Sequence, residues 1–240
     1  MSKNLVFTSA GDKTQFHTRW PGEGQNFDLV VYYYGKSDEN FEAYSKHAKY
    51  IERSRGLKFQ NFYKFWTTHP DAQQYDRYFI LDDDLQFGTN DINKMFEYSE
   101  KYQLKICQPS FTNNQYWPIT KHRGGIALAY TNFCEVTAPL FTKEALITFL
   151  NHYDPILQEQ GVDWLFMWAN DITQEKSFAV IHDVKCFNPP TSSKGNVREV
   201  DTVAPCHARG AVWQIYAKKT GKGFGAYGTK NYSSIPLGKN

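Results

Sequence analysis

The chain has 240 residues, 22% charged and 41% hydrophobic, enough to bury one large α/β core without a disulfide scaffold. Its formal net charge of +2 excludes the strongly basic field of a nucleic-acid binder, so nucleic acid is not an expected partner. No window approaches the roughly 18 apolar residues of a membrane span, the apolar stretch at 1–7 is too short for a secretory leader, and Cys107, Cys134, Cys186 and Cys206 form no Cys-x-x-Cys pair, which together predict a soluble, cytoplasmic protein with reduced thiols.

Short apolar, β-branched and aromatic runs at 5–9 and 27–34 predict two buried parallel strands. Between 40 and 55, Phe41, Tyr44, Ala48 and Ile51 recur at three- and four-residue spacing, the signature of an amphipathic helix stopped by Gly56. A second helix is predicted over 58–68, ended by His69-Pro70, then a strand over 77–82 and a helix over 91–102 with Asn90 as its cap. Ile106 seeds another strand, and 108–131 reads as a long loop bordering a site. Further on, 133–139 and 178–187 read as strands, 142–152 as a helix capped by Thr142, 155–169 as a helix, and 208–218 as a terminal helix after irregular chain. Strands alternating with helices imply an α/β fold, with a mainly parallel central sheet covered by helices on both faces. The domain reading is a single catalytic unit over 1–220 and a Gly/Lys-rich tail over 221–240, a solvated end whose glycine-rich stretch at 221–228 is the linker candidate.

The run Tyr78-Phe79-Ile80-Leu81-Asp82-Asp83-Asp84-Leu85 is the strongest chemical signal. Three adjacent carboxylates at a strand end repel one another unless a cation sits there, and hard oxygen ligands suit Mg²⁺ or Mn²⁺ bridging to a substrate's phosphates. In parallel sheets ligands bind beyond the carboxyl ends of strands, where Asp82 to Asp84 stand, and so do Ser9, Gly11 and Asp12. Asp84 is the candidate direct metal ligand. Asp82 either coordinates or holds ribose hydroxyls, and Asp83, alternating to the other side, is structural or touches the sugar.

Strand, Asp triplet and aromatic loop together resemble the GT-A class of nucleotide-sugar glycosyltransferases. The blocks Gly56-Leu57-Lys58-Phe59, Tyr63-Lys64-Phe65-Trp66, His69-Pro70-Asp71 and Tyr75 to Asp84, followed by Gln108-Pro109, Glu135 to Phe141 and Gly161-Val162-Asp163, resemble a little-characterised plant and microbial family assigned to these enzymes. The likeness spans about residues 27–190; the segment 112–131 departs from the family's basic middle, and Asn188 falls near the place of its terminal histidine.

The resemblance implies transfer from a nucleoside-diphosphate sugar, a UDP-sugar first, to a glycan hydroxyl with inversion, and it implies Asp163 as general base facing the metal from across the sugar. Glu135 is the alternate base or an acceptor ligand. His182 is a candidate third metal ligand or, with Asp183, a diphosphate contact; Lys58, Lys64 and Arg123 are candidate phosphate contacts, Arg123 also an acceptor contact. Ser9, Gly11 and Asp12 would meet base and ribose, and Trp117 and Tyr130 would stack on acceptor or donor. A carbohydrate-binding module without turnover explains the aromatics but leaves the triplet without a purpose. An aspartate-based phosphohydrolase wants Thr or Val where Gln86 stands.

Overall fold

The computed structural model describes residues 3–113, 117–190, 198–221 and 228–238; most of the stretch read as a linker, 221–228, lies outside them. Strand β1 (Asn4–Ala10) is buried at all seven positions, as a strand covered on both faces must be. It lies between β2 (Phe27–Tyr33) and β4 (Arg77–Asp82), parallel to both. Because side chains alternate, Val6, Leu29, Val31, Phe79 and Leu81 enter one core layer, while Leu5, Phe7, Val30, Tyr32, Tyr78 and Ile80 enter the other. Helices α1 (Asp38–Ser45) and α3 (Thr89–Lys101) cover the first layer. Helices α2 (Lys58–Thr68), α4 (Lys143–Leu150) and α5 (Val162–Ala169) cover the second, and α6 (Cys206–Thr220) adds Val212, Trp213 and Tyr216 to its margin.

With β3 (Tyr50–Arg53), β5 (Ile106–Phe111), β6 (Ile126–Thr131), β7 (Leu140–Thr142), β8 (Phe178–Cys186) and β9 (Asn231–Pro236), the sheet runs β3-β2-β1-β4-β7-β5-β8-β6-β9. Only β6 and β7 of these described strands run against the rest, so the mainly parallel sheet with helices on both faces is as the sequence predicts.

Several elements differ from expectation, each for a local reason. The helix predicted over 40–55 is two elements: α1 is capped by Ser37, whose Oγ accepts from Asn40 N at 3.1 Å, and Tyr50–Arg53 leaves it to pair with β2. The four periodic residues still share one core layer, which is why the spacing looked helical. Helix α3 starts after Gly88, not Asn90; Asp91 Oδ2 accepts the Gly88 N–H at 3.1 Å. The predicted loop 108–131 contains most of β5 and all of β6.

Conversely, 133–139 is irregular. It runs beside the end of β4, where Ile80 N donates to Pro139 O at 3.0 Å and Asp82 N to Thr137 O at 3.0 Å. Residues 155–160 are turns and irregular chain, and α5 begins only after Gly161. Within the expected tail, Asn231–Pro236 pairs with β6 as a ninth strand.

Gly161 has φ of +80°, and a Cβ there would lie 2.0 Å from the Trp213 ring. Gly161→Ala is therefore expected to cost about 3 kcal/mol through left-handed strain and ring displacement, read as a lower urea midpoint at unchanged slope.

Candidate active site

The end of β4 opens into a cavity of about 230 Å³ lined by Asp82, Asp83 and Asp84 together with Ser9, Tyr34, Lys58, Glu135 and Glu199. Three neighbouring elements fix the triplet. Lys58, at the start of α2 and only 5% exposed, places Nζ 2.6 Å from Asp82 Oδ1 and donates to Val136 O at 2.7 Å and Thr137 O at 3.2 Å. The irregular stretch beside β4 thus supplies carbonyls that, with Asp82, hold a buried ammonium. Asp83 turns toward the loop after β1, where its Oδ2 accepts from Gly11 N at 2.9 Å. Ser9 Oγ, at the end of β1, accepts from Asn61 Nδ2 of α2 at 2.9 Å.

A distant part of the chain completes this end. Glu199 accepts from Asp12 N at 2.7 Å and from Lys13 N at 2.8 Å, and a side chain at Gly11 would collide with its carboxylate. Half-buried Tyr34 sits among Asp83, Glu199, Asp84 and Asp82; burial first, then those charges, push its phenol far above the usual range.

A second cleft, about 420 Å³, shares Glu135, Glu159 and Arg209 with the first and adds Trp117, Gly161, Asp163, Trp164 and Trp213. Asp163 occupies the first turn of α5 and is 7% exposed, with Oδ1 accepting from Trp164 N at 2.9 Å. Burial pushes its carboxyl up to about 7 against the backbone N–H groups that favour the anion. Glu159, at a left-handed φ of +68°, accepts from Phe59 N at the start of α2 at 2.8 Å, and desolvation raises its carboxyl too. Arg209 of α6 is held by Ala204 O at 2.7 Å and Asp201 Oδ1 at 2.6 Å.

No family model and no curated protein matches the chain. Solved structures do. Residues 1–349 of S. aureus TarS in complex with UDP-GlcNAc match at a TM-score of 0.53 and 11% identity, over 91% of this chain and 66% of that one. GalNAc-T7 with UDP, GalNAc and Mn²⁺ matches at 0.55 and 10% identity, over 78% of this chain and 44% of that one. A longer S. aureus TarS structure matches at 0.52 and 9% identity over 93% of this chain, which spans 44% of its length.

The fold is of the GT-A type. Placed on that GT-A fold, Asp82, Asp83, Asp84, Ser9, Lys58 and Glu135 converge on one cavity, and Asp163 joins the contiguous cleft through Glu135. Gly11 contributes its N–H beneath Asp83. Asp12 lines a neighbouring hollow with Asp84. Its carboxylate is committed to the next loop: burial alone would raise it, but hydrogen bonds from Lys36 N, Tyr33 Oη, Ser37 N and Asn40 hold it at about 2.

His182 and Arg123 are not brought there. His182 Nδ1 accepts from Arg123 N at 3.0 Å, neither residue lines these cavities, and burial first, then Arg123, holds the imidazole down at about 4. The expected third metal ligand and phosphate contact are thus placed against each other, two strands beyond β7. Asp183 pairs with Lys94 at 3.0 Å, Lys64 with Glu52 at 2.5 Å, and Tyr130 is core. Tyr34, Glu159, Arg198, Glu199, Arg209 and Trp213 line the clefts without having been singled out in the sequence. Of these, Glu159 stands two residues before the Gly161-Val162-Asp163 block that bears the resemblance, and none of the six lies within one of the quoted blocks.

The donor set suits a divalent cation. Asp82, Asp83, Asp84, Glu135, Glu159 and Glu199 put six carboxyls on the first cavity against the four cations Lys13, Lys58, Arg198 and Arg209. Among the described residues no three His, Cys, Asp or Glu side chains form a ready metal cage. Mg²⁺ and Mn²⁺ ions in nucleotide sites take one or two carboxylates and complete their shell with phosphate oxygens and water. No described helix is long and apolar enough to cross a membrane.

Proposed function

We propose that the protein is a metal-dependent glycosyltransferase that moves a sugar from a UDP-sugar to a glycan hydroxyl with inversion, as in the plant and microbial family its motif blocks resemble. The observation that carries this is the pairing of an acidic strand end with a buried carboxyl, Asp163, in a contiguous cleft. Asp84, with Asp82 steadied by Lys58, would hold Mn²⁺ or Mg²⁺, which supplies a charge sink for the departing diphosphate. The loop after β1, with Ser9 and Gly11, would seat the nucleoside.

Asp163 takes the proton of the acceptor hydroxyl as its oxygen bonds to the anomeric carbon; the bond from that carbon to the diphosphate breaks, and its electron pair leaves with the diphosphate. A carboxyl poised at about 7 suits that proton transfer near neutral pH. Glu135, which lines both clefts, would contact the acceptor hydroxyl. UDP, UDP-GlcNAc and UDP with Mn²⁺ are found in the fold neighbours, which supports the donor class.

A panel of nucleotide sugars with and without Mn²⁺ tests this. One UDP-sugar should raise the melting temperature only with the metal and should be slowly hydrolysed to UDP and free sugar. A flat panel, or binding indifferent to metal and to nucleotide, would leave a sugar-binding module as the better account.

A further inference from the structure

Resting on that reading of the donor cavity, we infer that Glu199 is a resident competitor of the donor: its carboxylate fills a pair of backbone amides suited to an acceptor oxygen of the nucleotide, and the donor enters as the turn carrying Glu199 lets go. The amides themselves are held in place. In the loop after β1, Gly11 O accepts from Tyr44 Oη at 3.0 Å, Gly11 N donates to Asp83 Oδ2 at 2.9 Å, and Thr14 Oγ1 donates to Asp83 O. Between these anchors the Asp12 carboxylate accepts from Lys36 N at 2.9 Å, Ser37 N at 3.2 Å and Tyr33 Oη. The N–H groups of Asp12 and Lys13 are thus aimed in advance, and donors that need no rearrangement bind an oxygen at the least cost.

Glu199 takes both N–H groups, one with each carboxylate oxygen, at 2.7 and 2.8 Å. A Cβ on Gly11 would come within 2.5–2.7 Å of the three carboxylate atoms, so only a glycine lets an oxyanion lie this close to the backbone.

The turn that brings the carboxylate is held less firmly. Glu199–Thr202 is a short 3₁₀ turn with no buried side chain, fastened by Arg55 to Thr202 O at 2.5 Å and by Arg209 to Asp201 Oδ1 and Ala204 O. The other walls of the cavity, the ends of β1 and β4 and the start of α2, are rooted in the two core layers. At about 230 Å³ the cavity is below the roughly 300–1,000 Å³ usual for a small-molecule site, so a nucleoside diphosphate needs a wall to shift. The wall without core residues is the one whose carboxylate sits on the nucleoside's loop. A protein whose open form is a fraction of the population binds with that fraction of its intrinsic affinity, so Glu199 sets a threshold for the donor.

The test is isothermal titration of the full chain with UDP, uridine and pyrophosphate, each with Mn²⁺, for wild type, Glu199→Ala and Glu199→Gln. Glu199→Ala should bind UDP roughly tenfold more tightly, and by NMR the amides of Asp12 and Lys13 should exchange with solvent faster than in the wild type until UDP is added. Glu199→Gln, which keeps the shape and one neutral acceptor oxygen, should show a smaller gain. A gain confined to uridine and UDP puts a base carbonyl on the amides; one shared by pyrophosphate puts a phosphoryl oxygen there. Unchanged or weaker binding of all three ligands in both variants, or a gain that disappears at about 1 M salt and so reflects only a removed charge, would overturn the inference. Titration needs no turnover, so the two readings fail separately. Tighter UDP binding in the variants with no UDP-sugar hydrolysed or transferred leaves the role of Glu199 standing, and metal-dependent UDP-sugar binding with no gain in either variant leaves the transferase standing.

Discussion

Asp163→Asn should bind Mn²⁺ and UDP-sugar as the wild type does and should lose roughly 10²- to 10⁴-fold in transfer, the usual contribution of a positioned base. The substitution keeps the volume of the side chain and its place in the first turn of α5, so the aromatic cleft around it should survive. The acid limb of the wild-type rate should rise through about pH 7, where the buried carboxyl ionises, and that limb should be missing from the residual activity of the variant. Stability moves the opposite way. The folded state holds a proton on Asp163 up to about pH 7, whereas the unfolded chain gives it up near the ordinary value of 3.8, so the protein becomes less stable as pH rises between those two values. The full penalty, about 4 kcal/mol, is present above pH 7, and the amide should relieve most of it, raising the melting temperature at pH 8 but not at pH 4. A fully active variant with the wild-type pH profile would remove Asp163 from the chemistry.

Asp84→Ala should abolish metal-dependent donor binding, weakening it by at least about 100-fold, because first ligands to a catalytic ion matter at least as much as the groups that orient them. The three acidic side chains are not equivalent. Asp82 is tied to the buried Lys58 ammonium and Asp83 to the Gly11 N–H, and both bonds join β4 to its neighbours. Asp84 lines both the main cavity and the hollow beyond it that Asp12 shares, and on the proposed reading it would hold the ion. Isothermal titration of UDP with and without Mn²⁺ reads the effect directly. Metal-dependent affinity surviving in Asp84→Ala would move the ion site elsewhere.

Strands β1, β2, β4 and β8 were legible because they are contiguous apolar runs, whereas β6, equally apolar, was read into a loop; α2 matched at both ends because Phe59, Phe62 and Phe65 recur on one face and Pro70 follows the last turn. Boundaries failed where two signals overlapped. Phe41, Tyr44, Ala48 and Ile51 reach one core layer from a helix and then a strand, so a helical period appeared across a break. Strand β9 hides in polar sequence because it is an exposed edge, mostly open to solvent on both sides. Of the site, the acidic triplet was readable because its charges are adjacent in the chain. Glu199 was not, since its hydrogen-bond partner Asp12 is 187 residues away and nothing in the local sequence links them. His182 was misread for the converse reason: an imidazole after an apolar run looks chemical, but here it is consumed by Arg123.

The carboxylate of Glu199 on the amides of Asp12 and Lys13 joins the loop after β1 to a segment 187 residues further along the chain. Arg198, Val200 and Arg209 stand in the same wall, so the cavity at the end of β4 has no far side until residues 198–209 are in place. A chain cut short before Arg198 can still pair β1, β2 and β4 but leaves the cavity at their carboxyl ends open on that side, so truncation there would remove a wall of the cavity without removing the strands that carry its acidic floor.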